Sequence, residues 1–363
     1  MKKNFFFYIA CALTFVMNGC SDEIFDNAKQ INAPSSQNTR AVGENEWSRA
    51  YVLSEGSLPS HLGQLVTFDN NWRQTAKGIE IGYIGNDLLL YGSKLYCAVS
   101  GRDLIAENGG VWVFDAATGE PKTSSMLQYN DRKTGHKAMP RHLAAYGGKV
   151  YISLYSGAVM AIDTINYRMM NYKALNATYS EGICVINDTV YVCNSGNTGD
   201  TAAGQGTTIS KLPTTLETET QVTVPINPKL IAQAPNGTVY FNSLGNYSTI
   251  SSGLYTLNGN TSTLVTNQVS NFGMGNNELY TVDVNWTTYR TTLQKVSYGG
   301  TATPFNVSQP SMMLGYSITV NPFTNDVCVG QAGRDLYVYT ANGVGPQTIA
   351  TGTANLSTVV FVK

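Results

Sequence analysis

The sequence predicts an all-β fold, a seven-bladed β-propeller closed by its own C-terminal strand. Three observations predict it. One strand motif recurs as RAYVLSEG, KLYCAVSG, KVYISLYSG, TVYVCNSG, TVYFNSLGN, ELYTVDVNW and DVCVGQAG, and each copy alternates apolar with polar residues before a loop that usually holds Gly or Asn. A second strand follows each copy: QLVTFD, GVWVFD, AVMAID, TTISKLP, GLYTLN, TLQKVS and DLYVYT. Taking Phe68, Phe114, Ile162, Leu212, Leu257, Val296 and Tyr339 as its markers, the step is about 39 to 50 residues, the period of propeller blades. The third observation is the tail, STVVFVK, an apolar strand with no sequence neighbour left to pair with.

The chain starts with Lys2 and Lys3, an apolar run from Phe5 to Met17, then Gly19 and Cys20. That order reads as a secretory signal over 1–19, too short to span a membrane. Met17-Asn18-Gly19-Cys20 resembles the lipobox of bacterial lipoproteins, in which the cysteine becomes the acylated first residue. It departs from that pattern at its first two positions. Ser21-Asp22-Glu23 resembles the acidic surface-export signal of Bacteroidota lipoproteins. The implied location is the outer membrane, lipid-anchored (palmitate) at Cys20 and facing the cell exterior. Residues 20–45 hold few apolar residues and no periodicity and are expected to be a flexible tether, which leaves 46–363 for the propeller.

Within the repeats, six copies are preceded by an inner strand and a tight turn: LLLYGSK, LAAYGGK, ICVINDT, IAQAPNG, FGMGNNE and ITVNPFTND. Gly-Ser, Gly-Gly, Asn-Asp and Asn-Asn tolerate the positive φ that hairpin turns require. The first blade lacks this strand, and the tail, paired beside Tyr51 to Leu53, supplies it. Closure matters because an open ring would expose a sheet edge and a blade face.

Charged residues are 13% of the chain, about half the usual share. A net charge of -1 gives no basic footprint for nucleic acid. Of six cysteines, Cys11 falls in the signal and Cys20 at the anchor. The other four lie in strands; a turn at Asn187-Asp188 sets Cys184 opposite Tyr191, leaving Cys193 a diagonal neighbour too distant for an unstrained bridge. Four buried, reduced thiols are expected.

The repeats and the leader together resemble the YncE-like, surface-layer-type seven-bladed propellers that occur as lipoproteins in Bacteroidota. The similarity covers Trp47 to Lys363 and is plainest at YVLSEG, GGVWVFDAATG and YSITVNPFTNDVCVG. Within that group the length, lipoprotein start and blade pattern are similar to the BtuG type, which captures vitamin B12 at the cell surface and caps its outer-membrane TonB-dependent transporter. The resemblance therefore implies a corrinoid ligand, a TonB-dependent transporter as partner and a membrane contact through the lipid. It implies no catalytic cofactor. Asn321 replaces the Asp usual in the family's last blade, and Thr353-Ala354-Asn355 replaces its final Asn-Pro-Gly.

The residues add a location. Loops from second to third strands, and those between blades, gather at one end of a propeller, and here they are long and aromatic: SEGSLPSHLG, SGRDLIAENGG, SGNTGDTAAGQG, SLGNYSTISSG and DVNWTTYRT, with QYNDRKTGHKAMPRH and NATYSEG between blades. The opposite end carries mostly short turns. Ordering long loops costs entropy that a bare scaffold avoids, so recognition explains them better than folding does. Candidate ligand-binding residues are Arg102, His142, Tyr155, Tyr179, Asn246, Tyr247, Trp286, Tyr289, Tyr316 and Arg334. Tyr and Trp offer flat apolar contact with a polar tip, and Asn matches an amide- or hydroxyl-rich ligand.

His142 could be an axial cobalt ligand or a plain hydrogen-bonding histidine. Asp69, Asp115 and Asp163 recur just after the third strand and are expected to form Asx turns. Asp200-Thr201-Ala202 resembles a Bacteroidota O-glycosylation site. No P-loop, HExxH, nucleophile elbow or paired CxxC appears, so the expectation is a binding protein, without catalytic residues or a metal site. Alternatives are a glycan- or peptide-binding or structural propeller and, further off, a propeller lyase or hydrolase.

Overall fold

In the computed structural model, residues 46–57, 61–103, 105–196, 206–311 and 313–363 are described. The signal, Cys20, the tether and the Asp200 segment lie outside them. The described residues form strands and no helix, arranged as seven antiparallel sheets.

The first blade is β27 (Leu356–Val362), β1 (Arg49–Ser54), β2 (Gly63–Asp69) and β3 (Ile79–Gly82), from the axis outward. Blade 2 is β4 (Gly85–Tyr91), β5 (Lys94–Val99) and β6 (Gly110–Asp115), and blade 3 is β7 (Pro140–Tyr146), β8 (Lys149–Leu154), β9 (Ala158–Asp163) and β10 (Met169–Ala174). Blade 4 follows as β11 (Tyr179–Ile186), β12 (Thr189–Ser195), β13 (Thr208–Pro213) and β14 (Thr220–Thr223), and blade 5 as β15 (Pro228–Gln233), β16 (Val239–Ser243), β17 (Gly253–Asn258) and β18 (Thr261–Asn267). Blade 6 is β19 (Asn271–Met274), β20 (Glu278–Asn285), β21 (Arg290–Ser297) and β22 (Ala302–Pro304). Blade 7 is β23 (Gly315–Val320), β24 (Val327–Gln331), β25 (Asp335–Tyr339) and β26 (Gln347–Ala350). Blade 2 has no fourth strand among the described residues; its outer segment meets β6 only at the bridges Val111↔Leu127 and Phe114↔Pro121, and Pro121 cannot donate to a ladder.

The tail closes the ring as expected: Tyr51 faces Val360, Val52 faces Val359 and Leu53 faces Thr358. It also packs. Val359 and Phe361 share a buried cluster with Leu336 and Val338 of blade 7 and Val52 and Val66 of blade 1, and Trp47 stacks edge-on to Phe361 at 5.1 Å. Every blade thus buries both faces against its neighbours, which is why inner and second strands are buried almost throughout rather than alternating.

Turn chemistry follows the sequence in most blades. Asn187 and Asp188 take φ 47° and 61°, and Gly147 and Gly148 take 57° and 76°, the values of a two-residue hairpin with both centres left-handed. Asn276 and Asn277 depart from that expectation. Pairing in blade 6 stops at Met274↔Leu279, leaving a four-residue turn closed by Gly275 N–H to the Glu278 carbonyl at 2.9 Å, and neither Asn needs a positive φ. Asp69, Asp115 and Asp163 are Asx caps: their Oδ1 atoms accept from Asn71, Ala117 and Ile165 amides at 2.9, 3.0 and 2.8 Å. Cys184 does face Tyr191, and the four cysteines of the described residues are buried and unbridged. Burial pushes the Cys97, Cys193 and Cys328 thiols up, away from thiolate chemistry.

Two loop expectations need correction. DVNWTTYRT is not a long loop: β20 and β21 pair out to Asn285↔Arg290, and the Asn285 side chain caps Thr287 and Thr288 amides at 3.0 and 2.9 Å, so only Trp286–Tyr289 form the turn. The far end of the ring is also less bare than expected, since 70–78, 321–326 and 340–346 are all irregular there.

Candidate ligand-binding mouth

Aligning the seven inner strands on their apolar runs brings one column of residues to the axis: Ser357, Asn86, Arg141, Glu181, Lys229, Ser270 and Tyr316. Each strand slips register at that column. Asn86 falls between Gly85↔Val99 and Asp87↔Ala98, Tyr316 between Gly315↔Gln331 and Ser317↔Gly330, and Ser357 between Leu53↔Thr358 and Ser54↔Leu356. Blades 3, 4 and 5 shift across Pro140/Leu143, Ser180/Ile183 and Pro228/Ile231, and in blade 6 the Ser270 amide and Asn271 share Val282. A bulge takes one side chain out of the alternation and re-aims it. Repeated seven times at the start of the inner strand, it turns the column inward beside the loop-rich end.

The column is a network. The Arg141 guanidinium donates to Glu181 Oε2 at 2.6 Å from Nη2 and to Asn86 Oδ1 at 2.7 Å from Nη1. Lys229 Nζ lies 3.1 Å from Glu181 Oε1, and Asn86 donates to Ser100 and to the Pro140 carbonyl. Across the axis the Tyr316 hydroxyl donates to Glu55 Oε2 at 2.8 Å, and Ser357 donates to the Gly85 carbonyl at 3.0 Å. Gly182 allows the close approach of blades 4 and 5, because a Cβ there would meet the Lys229 carbonyl at 2.5 Å.

Burial sets the charges. The two cations beside Glu181 hold its carboxyl well below the usual carboxylate range despite full burial. Lys229 is pulled down to about 8, first by burial, with Glu181 working the other way and Arg141 adding repulsion. Glu55 is pushed well up by burial, only partly offset by the Tyr316 hydrogen bond and the nearby cations, and Tyr316 is pushed up with it. The Glu55 carboxyl is therefore neutral over a range where Glu181 is ionised. Its Oε1 is buried with no hydrogen-bond partner among the described residues.

Of the residues expected at the site, the structure brings together Tyr316, His142, Tyr155, Tyr179 and Tyr247. Tyr316 is a member of the column. Tyr155 and Tyr179 meet edge to face at 4.9 Å, and the Arg141 guanidinium lies 5.6 Å from the Tyr155 ring, so this pair roofs the charged arc. Tyr247 stands on the β16–β17 loop at the same end, its side chain 53% exposed, and burial of its hydroxyl, with a smaller contribution from the charge of Glu181, pushes that group up. His142 is fully buried between Asp87 Oδ2 at 3.4 Å and Glu181 Oε2 at 3.8 Å.

The remaining candidates lie in second-to-third-strand loops at the same end of the ring, outside this network. Asn246 is committed to its own loop, its Oδ1 accepting from Ser248, Thr249 and Ile250 amides. Arg102 pairs with the adjacent Asp103 at 3.0 Å on the surface, Arg334 is exposed in the short turn after β24, and Trp286 and Tyr289 stand 44% and 57% exposed on the β20–β21 turn. Sequence reading missed Glu55, Asn86, Arg141, Glu181 and Lys229. Their signal is positional: a charged or amide side chain one or two residues before an apolar run that is otherwise buried.

No family model and no curated protein matches the chain. Among solved structures it is similar to a quinoprotein alcohol dehydrogenase-like protein from Bacteroides thetaiotaomicron, with TM-score 0.60 and 14% identity over 86% of this chain and 78% of that one. A structure of a nidogen/laminin complex matches 87% of this chain and 98% of its own at 10% identity, with TM-score 0.49. At 14% identity the likeness to the Bacteroides structure shows the propeller fold alone. Among the described residues no group of three or more His, Cys, Asp and Glu is placed to hold a metal ion, and no helix is long and apolar enough to cross a membrane.

Proposed function

We propose that the protein is a surface lipoprotein that binds a corrinoid at this mouth and delivers it to an outer-membrane TonB-dependent transporter, acting as a binder and not as an enzyme. The observation that carries this reading is the layered mouth, with aromatic faces of Tyr155, Tyr179 and Tyr247 above a buried polar column that spans all seven blades. A broad disc with an apolar face and a fringe of amides and one phosphodiester matches those layers, because aromatics take the face and a fixed polar floor takes the fringe. The leader supports the location: anchored by acylated Cys20, the tether would hold the mouth outside the outer membrane. His142, enclosed by two carboxylates, is better placed to bridge blades than to reach a cobalt.

The test is direct. Purified protein mixed with cyanocobalamin at micromolar concentration is run through gel filtration while absorbance of the corrin is followed. Co-elution is expected, and complete separation ends this reading. The second reading, a glycan-binding propeller, is favoured by Trp286 and Tyr289, whose exposed rings suit stacking on sugar faces.

A further inference from the structure

The aromatic pair of the mouth stands on two segments that touch backbone to backbone. Tyr155 opens the turn 155–157 between β8 and β9, and Tyr179 opens β11 directly after the connection 175–178 that leads out of blade 3. The Leu175 amide donates to the Gly157 carbonyl at 3.0 Å. A Cβ at position 157 would meet the Ala177 carbonyl oxygen at 2.2 Å, and Gly157 takes φ 73°, so only glycine permits this approach.

The approach crowds carbonyl oxygens. Those of Gly157, Leu175 and Ala177 converge on one point, and their partial charges repel until a donor stands between them. Lys133, on the strap that leads into β7, supplies that donor: its Nζ donates to the three oxygens at 3.0, 3.2 and 2.6 Å. An ammonium has three N–H groups and no acceptor, so three carbonyls use it completely, and the planar guanidinium of an arginine does not offer the same match. Lys133 is an exposed residue, yet burial pulls its ammonium below the ordinary lysine value, with Asp131 and Glu219 working the other way. The strap is itself anchored. The Lys133 amide donates to Asp131 Oδ1 and to the Tyr172 hydroxyl, both at 2.9 Å, and the Met139 carbonyl accepts the Tyr155 amide at 2.9 Å.

We propose that Lys133 is the positioning residue of the mouth. By clamping the turn to the connection it fixes Tyr155 and Tyr179 edge to face at 4.9 Å, with the Tyr155 ring 5.6 Å from the Arg141 guanidinium, and so presets the aromatic face that the ligand meets. Its part in affinity rests on the binding reading above; its part in placing the rings does not.

Two measurements separate these parts. NMR of protein carrying carbon-labelled tyrosine rings, with the pair assigned through Tyr155→Phe and Tyr179→Phe, reads the ring contact without ligand, and calorimetry with cyanocobalamin reads affinity. Lys133→Met keeps the stem and loses the donors; it should move both ring resonances, erase the nuclear Overhauser contact between them and weaken cyanocobalamin binding about tenfold. In Lys133→Ala, propylammonium, which replaces the missing atoms, should restore rings and affinity, and tetramethylammonium, a cation without N–H, should not. Wild-type ring resonances in Lys133→Met, or equal rescue by the two cations, overturn the proposal. Displaced rings with unchanged affinity overturn the part that concerns the ligand. If cyanocobalamin does not bind the wild type, the corrinoid reading falls and the ring resonances alone decide. Should these variants fail to fold, Lys133→Arg, which keeps the charge without the three-point match, carries the same measurement, and wild-type rings there overturn the proposal.

Discussion

The two halves of the mouth solve the same packing problem with different chemistry. Along blades 2 to 5 the column reads Asn86, Arg141, Glu181, Lys229, a chain in which each member holds the next by a charge-assisted contact. Along blades 6, 7 and 1 it reads Ser270, Tyr316, Ser357, with Glu55 reaching in from the end of β1, and its contacts are those of hydroxyls and one carboxyl that burial pushes well up. The charged half is tied together by ionic contacts across three blade boundaries. The other half carries an unpartnered oxygen and a partly exposed serine, and it contains the seam where the two ends of the chain meet. Ionic contacts are concentrated on one side and hydroxyl contacts on the other.

The largest test of that contrast removes the seam. Deleting the last eight residues, 356–363, takes away β27, Ser357 and the packing of Phe361; the whole domain should lose its cooperative thermal transition in circular dichroism, and unchanged melting would show that the ring does not depend on closure. Next in size, Glu181→Gln leaves Arg141 and Lys229 buried around a neutral amide and should cost about 3–5 kcal/mol in denaturant titrations. Tyr316→Phe, in the other half, removes one hydrogen bond and should cost only about 1 kcal/mol. If the two cost the same, the division into an ionic and a hydroxyl half fails.

Much of the fold could be read from sequence because blades repeat. Seven copies of one strand gave the count, the paired Asn and Gly turns gave the hairpins, and the leftover STVVFVK gave the closure. The mouth was legible in part. Tyr155 and Tyr247 stand out as aromatics in irregular segments and Tyr179 and Tyr316 as aromatics at strand starts, whereas Arg141, Glu181 and Lys229 sit in the same strand-start positions, where a charge reads as an interruption and not as a site. Their meeting depends on a bulge in each inner strand, and a single sequence does not announce a bulge. Asn246 and Trp286 went the other way: the loop position was right, but Asn246 spends its oxygen capping its own turn and Trp286 sits on a hairpin that continues the strands.

Smaller effects sharpen the comparison through pH. Folding lowers Lys229 to about 8 from its ordinary 10.5, so between those values the unfolded chain binds the extra proton and stability from this group rises with pH. Below about pH 8 the buried ammonium costs stability, and Lys229→Met should abolish that dependence in melting curves recorded from pH 7.5 to 9.5. Glu181 works in the opposite range. Its lowered carboxyl contributes stability that is present above pH 4.5 and lost as acid drives it toward protonation. Least of all, Arg102→Ala at the exposed Arg102–Asp103 pair should change stability by less than about 0.5 kcal/mol, and a larger loss would mean that this loop bears on the floor.

The composite first blade also orders events in time. A strand made near the start of synthesis, Arg49–Ser54, acquires its inner partner only when residues 356–362 have been made, so no partially synthesised chain can form the finished ring. The first strand can pair early with β2, but its inner partner follows more than three hundred residues later. Only the arrival of the final valines completes the first blade and closes the ring beside Glu55.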